Sequence, residues 1–294
     1  MKFDVVVGNP PFEASHSKKL WPEFSNLAVD ILKDGGYLGW VIPIGWMQSN
    51  NAQMKKVRKN LTSYMNTEIV DVTTDNYFKV STEICSIIAQ KVEYKNNTTV
   101  ILKDGTKSVY DITEGFKKTS LEKFIDNINN KIINGGDKLY LTIDEDCPKE
   151  IFSVEEYSDF KYPCIYTTAQ RGFTNKKLKN DGILKIGLNI SSSYYNPKSP
   201  NFNMPITTTA FGGLMKYIII DNKEEGLRWR NYLSSKPIRF LAQTYKKKNS
   251  GFCHAVKQDA IPKLDMSKIW TDEELYAHFN LTQEEIDYIE ANVK

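Results

Sequence analysis

Apolar residues in the first hundred positions fall into two alternating kinds of run. Phe3, Val5, Val6 and Val7 form a short cluster that ends at Gly8, and Asn9-Pro10-Pro11-Phe12 follows. A brief run of this kind, bounded by Gly and Pro, predicts a strand buried on both faces. Leu20, Trp21, Phe24, Leu27, Ala28, Ile31 and Leu32 recur at spacings of three and four. That period predicts an amphipathic helix over 20–33, which Asp34-Gly35-Gly36 stops. Tyr37 to Ile42 predicts the next strand, closed by Pro43, and 50–64 a helix with Met54, Val57 and Leu61 inward. Glu68 to Val72 and Ile84 to Val92 complete the series as strands. Strands alternating with helices predict an α/β fold with a doubly wound parallel sheet, the last pair being open to antiparallel pairing.

The pattern weakens beyond residue 93. Val100 to Leu102 and Ser108 to Tyr110 predict a hairpin around Lys103-Asp104-Gly105-Thr106. Leu121 to Ile133 predicts a helix broken by Asn134-Gly135-Gly136-Asp137, and Glu224 to Ala242 predicts another. Thr271 and Thr282, each followed by acids in the first turn, are expected N-caps of two short helices that pack back on the body.

Charge changes the picture more than composition does. The net charge is only +3, yet residues 161–260 hold 17 Lys and Arg against 5 Asp and Glu. The flanking segments are acidic. A basic stretch rich in Tyr and Asn predicts a polyanionic partner. Arg171, Lys176, Lys177, Arg228, Arg230, Arg239, Lys246, Lys247 and Lys248 are its candidate nucleic-acid contacts. The four cysteines are scattered with no Cys-x-x-Cys pair, so neither a disulfide framework nor a zinc site is indicated. No apolar run approaches membrane-spanning length, and the sequence enters a strand with no leader; a cytoplasmic protein with no membrane partner is expected.

The loop after the first strand carries the candidate chemistry. Two prolines stiffen the backbone beyond Gly8, at the strand end where open α/β sheets place ligands. The loop offers the Asn9 amide, the Pro10 carbonyl next to a residue without an N–H, and the Phe12 ring. This combination suits a flat ring bearing an amine. Two acceptors would each take one amine hydrogen, favour a pyramidal nitrogen and stabilise the positive charge that develops on it.

Asn9-Pro10-Pro11-Phe12 resembles the Asp/Asn-Pro-Pro-Tyr/Phe motif of the amino-methyltransferases, which move a methyl group from S-adenosylmethionine to a nitrogen. Leu32-Lys33-Asp34-Gly35-Gly36 with its following strand and Pro43, and Phe78-Lys79-Val80-Ser81-Thr82 before a strand, resemble later segments of the N6-adenine DNA methyltransferases. The Ile261-Pro262-Lys263-Leu264-Asp265 ending is similar to the Eco57I-like branch of restriction–modification methylases. The resemblance implies Asn9, Pro10 and Phe12 as catalytic positions, and Pro11, Phe78 and Tyr77 as the pocket for a base flipped from the duplex. It implies Trp21 and Phe24 beside the cofactor's adenine ring. It also implies a partial Rossmann-like methyltransferase domain at 1–150, a basic α+β target-recognition domain for double-stranded DNA at 151–262, and a helical tail at 263–294.

The same resemblance implies a Phe-x-Gly-x-Gly cofactor loop upstream of the catalytic one, and no room for it exists before Asn9. Ala210-Phe211-Gly212-Gly213-Leu214 imitates it, but a polar run precedes it and a strand follows, so 210–221 reads as a turn and strand. The S-adenosylmethionine site is therefore expected to be completed by a cofactor-binding partner subunit or a missing upstream segment, with β-edge exposure otherwise. Three readings stay open: a split enzyme, a fragment, or a catalytically inactive DNA-binding, specificity or anti-restriction decoy protein. Protein glutamine and RNA guanine-N2 methyltransferases also carry such loops, but little chain follows their catalytic domains.

Overall fold

The computed structural model describes the chain apart from residues 1, 16–17, 50, 79–81, 117–119, 144–146, 148, 191–195, 197, 199–201, 246–252, 258 and 294. It divides into two compact units, Met1–Asp126 and Asn127–Lys294. The division falls ahead of the change in composition near residue 150.

Unit 1 is a six-stranded mixed sheet. Its elements are β1 (Phe3–Gly8), α1 (Trp21–Ile31), β2 (Leu32–Pro43), α2 (Ala52–Ser63), β3 (Asn66–Asp71), β4 (Ile84–Gln90), β5 (Thr98–Ile101) and β6 (Lys107–Tyr110), with spatial order β1-β2-β4-β3-β5-β6. β1 pairs with β2 in parallel, and β3 with β5 in parallel. β4 enters antiparallel between β2 and β3. The α/β class and the antiparallel β3–β4 pairing agree with the expectation, whereas the insertion of β4 beside β2 departs from a parallel order, because an apolar strand buried between two others fixes neither its neighbour nor its direction.

One face carries the core. Leu38, Trp40 and Ile42 of β2 meet Cys85, Ile87 and Ala89 of β4, Val70 and Val100 there, beneath Trp21 and Ala28 of α1 and Met54, Val57 and Leu61 of α2. Asn60 of α2 ties the helices together by donating to Ser25 Oγ at 2.9 Å and Asn26 Oδ1 at 3.0 Å. The alternate side chains form the other face. One register row crosses the whole sheet as Val7, Gly39, Ile88, Ile69, Thr99 and Val109. Val7 is 75% exposed and Val109 64%. β1 is an edge strand, the exposure expected where no cofactor-binding strands pair with it, so Phe3, Val5 and Val7 face solvent although their run of apolar residues predicts burial on both faces.

Among the described residues, unit 2 holds α3 (Lys123–Ile133, whose first residues belong to unit 1), two four-stranded sheets and, named below, four further helices. The strands are β7 (Thr142–Ile143), β8 (Phe152–Ser153), β9 (Tyr162–Thr167), β10 (Gln170–Thr174), β11 (Lys185–Asn189), β12 (Ile206–Thr207), β13 (Ala210–Phe211) and β14 (Met215–Ile219). One sheet runs β7-β14-β11-β12 and the other β8-β10-β9-β13. The single helix expected over 224–242 is two, α4 (Lys223–Ser234) and α5 (Lys236–Thr244). Pro237, lacking an N–H, starts the second helix at the break rather than continuing the first.

The two final helices, α6 (Asp272–His278) and α7 (Gln283–Asn292), begin at the expected caps. Thr271 with Glu274, and Thr282 with Glu285, each close a reciprocal capping box. They dock on the unit through Asp272, which accepts from Lys236 N at 2.9 Å, and through the Lys131–Glu285 ion pair at 2.7 Å. No helix among the described residues is long and apolar enough to cross a membrane.

Candidate active site

β1 and β2 run together until Gly8 pairs with Trp40, and the chain then leaves the sheet. Asn9 and Pro11 are exposed, Pro10 is buried, and Phe12 is partly buried against the helix-covered core. Phe12 O accepts from Leu20 N at 3.2 Å, which folds the loop back onto the start of α1. Two prolines remove two donors and fix two φ angles, so the loop keeps its shape with few hydrogen bonds of its own. The Asn9 side chain has no hydrogen-bond partner among the described residues and opens to solvent.

The strand directions gather other segments at the same edge. β1, β2, β3 and β5 all end there, and β4 begins there. After β2, a helical turn over Gly45–Gln48 is held by Arg58, whose guanidinium donates to the carbonyls of Trp46 at 3.0 Å, Met47 at 3.3 Å and Ser49 at 3.4 Å. After β3, Asp71 Oδ1 accepts from Thr73 N at 2.8 Å and starts a 3₁₀ turn over Thr73–Tyr77. That turn carries Tyr77, 83% exposed, and leads to Phe78, 39% exposed. At about 4.8 Å per strand, the ends of β1 and of the β3–β4 pair stand about 10–14 Å apart along the edge. The topology thus brings Asn9, Pro10, Pro11, Phe12, Tyr77 and Phe78 to one edge, with both aromatics available to a ligand there.

A buried ion cluster secures the second wall. Asp75, buried, accepts from Ile84 N at 3.2 Å and lies 3.4 Å from Lys103 Nζ, which also reaches Glu83 at 3.1 Å. Burial opposes the Lys103 charge, but the two carboxylates outweigh it and hold the ammonium above its ordinary range. The cluster closes the base of the Tyr77–Phe78 segment. Sequence reading missed it; the only signal was an acid and a base in separate turns, whose meeting depends on the β3–β5 pairing.

Trp21 and Phe24 behave differently from the positions the resemblance implies. Trp21 is 2% exposed in the core, and Phe24 packs against the same cluster. The Trp21 ring at that burial presents no face to a ligand, whereas Phe24 is only partly buried. The glycine pair at 212–213 lies in unit 2, between β13 and β14, with no helix opening behind it. Gly213 takes φ +53° beside the Tyr166 ring, where a Cβ would collide.

The basic candidates divide by environment. Arg171, Lys176 and Lys177 are exposed. Arg228 donates to Met266 O, and Arg230 gives Nε and Nη2 to Met204 O at 3.1 and 2.7 Å. Arg239 is buried with its guanidinium 5.6 Å from the Phe202 ring, a placement that leaves little surface for a phosphate. Lys246, Lys247 and Lys248 lie outside the described residues.

Residues 1–78, which contain β1, the Asn9 loop and the β3 turn, match the family model of the Eco57I restriction-modification methylase. No curated protein sequence matches the chain. Among solved structures, the type IIG restriction endonuclease BpuSI is similar at 10% identity over 92% of this chain and 45% of its own, with a TM-score of 0.41. A nuclease-deletion mutant of the type ISP restriction-modification enzyme LlaGI, in complex with a DNA substrate mimic, is similar at 12% identity over 97% of this chain and 42% of its own, TM-score 0.40. The EcoKI M protein, of a type I restriction enzyme, is similar at 16% identity over 34% and 25%, TM-score 0.29. The chain spans between a quarter and just under half of the length of these proteins.

Proposed function

We propose that this chain is the part of a restriction–modification methyltransferase that reads DNA and holds the methyl acceptor, the exocyclic N6 amine of adenine in double-stranded DNA. The observation that carries the reading is the Asn9 amide: exposed, without a partner among the described residues, and set one position beyond the Gly8–Trp40 pair on a proline-stiffened loop. Its Oδ1 and the Pro10 carbonyl are the two acceptors for an amine with two hydrogens. Accepting both hydrogens moves electron density onto the nitrogen and stabilises the cationic product of transfer. Tyr77 or Phe78 stacks on the displaced base from the facing side, and Phe12 supports the loop from below. Arg171, Lys176 and Lys177 meet backbone phosphates.

S-adenosylmethionine is the methyl donor the family resemblance implies, and Trp21, one of the two positions implied beside its adenine ring, is buried in the core. Its site is assigned to a further segment or a partner subunit that adds to the free edge of β1. That strand exposes Phe3, Val5 and Val7 together with unpaired backbone groups, a surface that folded proteins ordinarily cover. The burial of Trp21 supports a second reading, a DNA-binding subunit or anti-restriction decoy without catalysis.

One experiment separates them. The chain is incubated with duplex DNA and tritiated S-adenosylmethionine, alone and with cell extract of its source as the supply of a companion. Label on adenine N6 that Asn9→Ala abolishes supports the first reading. Salt-dependent duplex binding with no label in either condition supports the second.

A further inference from the structure

Unit 2 contains a cleft of about 640 Å³ between the β9–β10 hairpin on one side and the β12 edge with α4 on the other. Its walls carry Arg171 and Phe173 from β10, Asn203, Thr207 and Thr209 from the segment around β12, and Arg230 from α4. No carboxylate stands among its described lining residues. Arg171 and Phe173 are two apart on one strand and so share a face. Arg230 is fixed in direction, because Nε and Nη2 both bond Met204 O. Thr207 Oγ1 accepts from Thr209 N at 3.0 Å, which sets the turn opposite the hairpin. Gly172 lets β8 lie close on the far side of the hairpin, since a Cβ there would overlap Ser153 O.

We propose that this cleft is a binding site for one nucleotide unit, a base joined to a sugar phosphate. The volume lies within the range that encloses a ligand of that size. Two guanidinium groups on opposite walls, with no acid to offset them, select an anion. The Phe173 ring between apolar walls takes a flat heterocycle, and the amide and hydroxyls of Asn203, Thr207 and Thr209 address its polar rim. The unit comes either from a DNA strand or from a free nucleotide; only the first source rests on the proposed function.

Isothermal titration of the full chain with dAMP, dCMP, dGMP, TMP and inorganic phosphate tests the site. At least one nucleotide binds about tenfold more tightly than inorganic phosphate, because the base adds contacts that the anion lacks. Arg171→Ala, an exposed position, loses about tenfold of that affinity. Lys55→Ala, at an exposed position of α2 in unit 1 that is not among the lining residues of the cleft, binds as the parent chain does. Equal affinity for nucleotides and inorganic phosphate overturns the proposal, as does unchanged nucleotide binding in Arg171→Ala. A DNA hairpin with one unpaired nucleotide then identifies the source: competition with the mononucleotide assigns a strand, and its absence assigns a free nucleotide. Mononucleotide binding by a chain that has no affinity for duplex DNA would leave this site standing while the DNA reading above falls.

Discussion

Gly8 pairs with Trp40 at the last register position that β1 shares with β2, so Asn9 begins where the sheet stops. The relationship separates fold from chemistry. Trp40 is buried under the helices and anchors β2, whereas Asn9 contributes to no packing. Asn9→Ala is therefore expected to leave the urea midpoint unchanged and duplex affinity within twofold, within the small range of surface substitutions. Methyl transfer in the presence of the completing partner should fall by about 10²-fold or more, the usual cost of one acceptor at a charge-developing atom. Equal losses of stability and transfer would make Asn9 a structural residue.

The edge position of β1 gives a second test. Val7 is 75% exposed and heads the register row on the sheet face opposite α1 and α2. Val7→Lys puts a charge where an added strand or apolar partner would sit, a device that blunts edges. Stability should change by no more than about 0.5 kcal/mol. Light scattering of the isolated chain should fall, and methyl transfer with the companion should be lost. Undiminished transfer in Val7→Lys would place the companion elsewhere.

Lys185 provides a pH-dependent signature of unit 2. It is fully buried, donates to Asn180 O at 2.6 Å and Ile183 O at 2.9 Å, and lies 5.1 Å from the Phe211 ring centre. Burial pushes its ammonium down to about 8 from an ordinary 10.5. Between those values the unfolded chain holds a proton that the folded chain has released, so stability rises with pH through this window. The contribution is about 3 kcal/mol across the span, at about 1.4 kcal/mol per pH unit. Urea unfolding of the parent chain against Lys185→Met at pH 7.5 and 10.5 measures it, the gap between them shifting towards the parent at the higher pH. A gap independent of pH would mean that Lys185 titrates normally.

Much of unit 1 is legible along the chain because its signals are local. The apolar run at Phe3–Val7 meets two prolines, and the stripe from Leu20 to Leu32 ends at glycines; each boundary is decided within a few residues. Capping boxes at Thr271 and Thr282 are equally local. What escaped was set by neighbours distant in sequence. Ile84–Gln90 pairs antiparallel with β3, as its strand pair was left open to do, but nothing in it says that it also lies between β2 and β3, since apolar strands buried between others look alike. The edge exposure of β1 was legible by another route, from the absence of cofactor strands to pair with it, even though Val5 and Val7 have the composition of buried positions. Trp21 illustrates the limit for the site, since an aromatic at helical spacing serves a core or a ligand with the same periodicity. Among the basic residues, Arg230 and Arg239 could not be told from Arg171, because Met204 O and the Phe202 ring reach them through the tertiary fold.

That last division yields the final prediction. Arg171, Lys176 and Lys177 are exposed, and contacts from such side chains to phosphates release counterions without reading bases. Each single change to Ala should weaken duplex binding evenly across sequences and lower the slope of log K against log salt by about 1. Lys177 also pairs with Asp181 at 3.8 Å, an exposed contact too weak to offset the phosphate. Arg239→Ala should behave in the opposite way. Its guanidinium is buried over Phe202, so the substitution removes packing and should cost about 1–3 kcal/mol of stability. Once conditions keep the variant folded, its salt slope should match the parent's. Fluorescence anisotropy of a labelled duplex from low to moderate salt, alongside urea unfolding, reads both quantities. A lowered slope in folded Arg239→Ala would require its side chain to turn outward on DNA and would remove the distinction drawn from its burial.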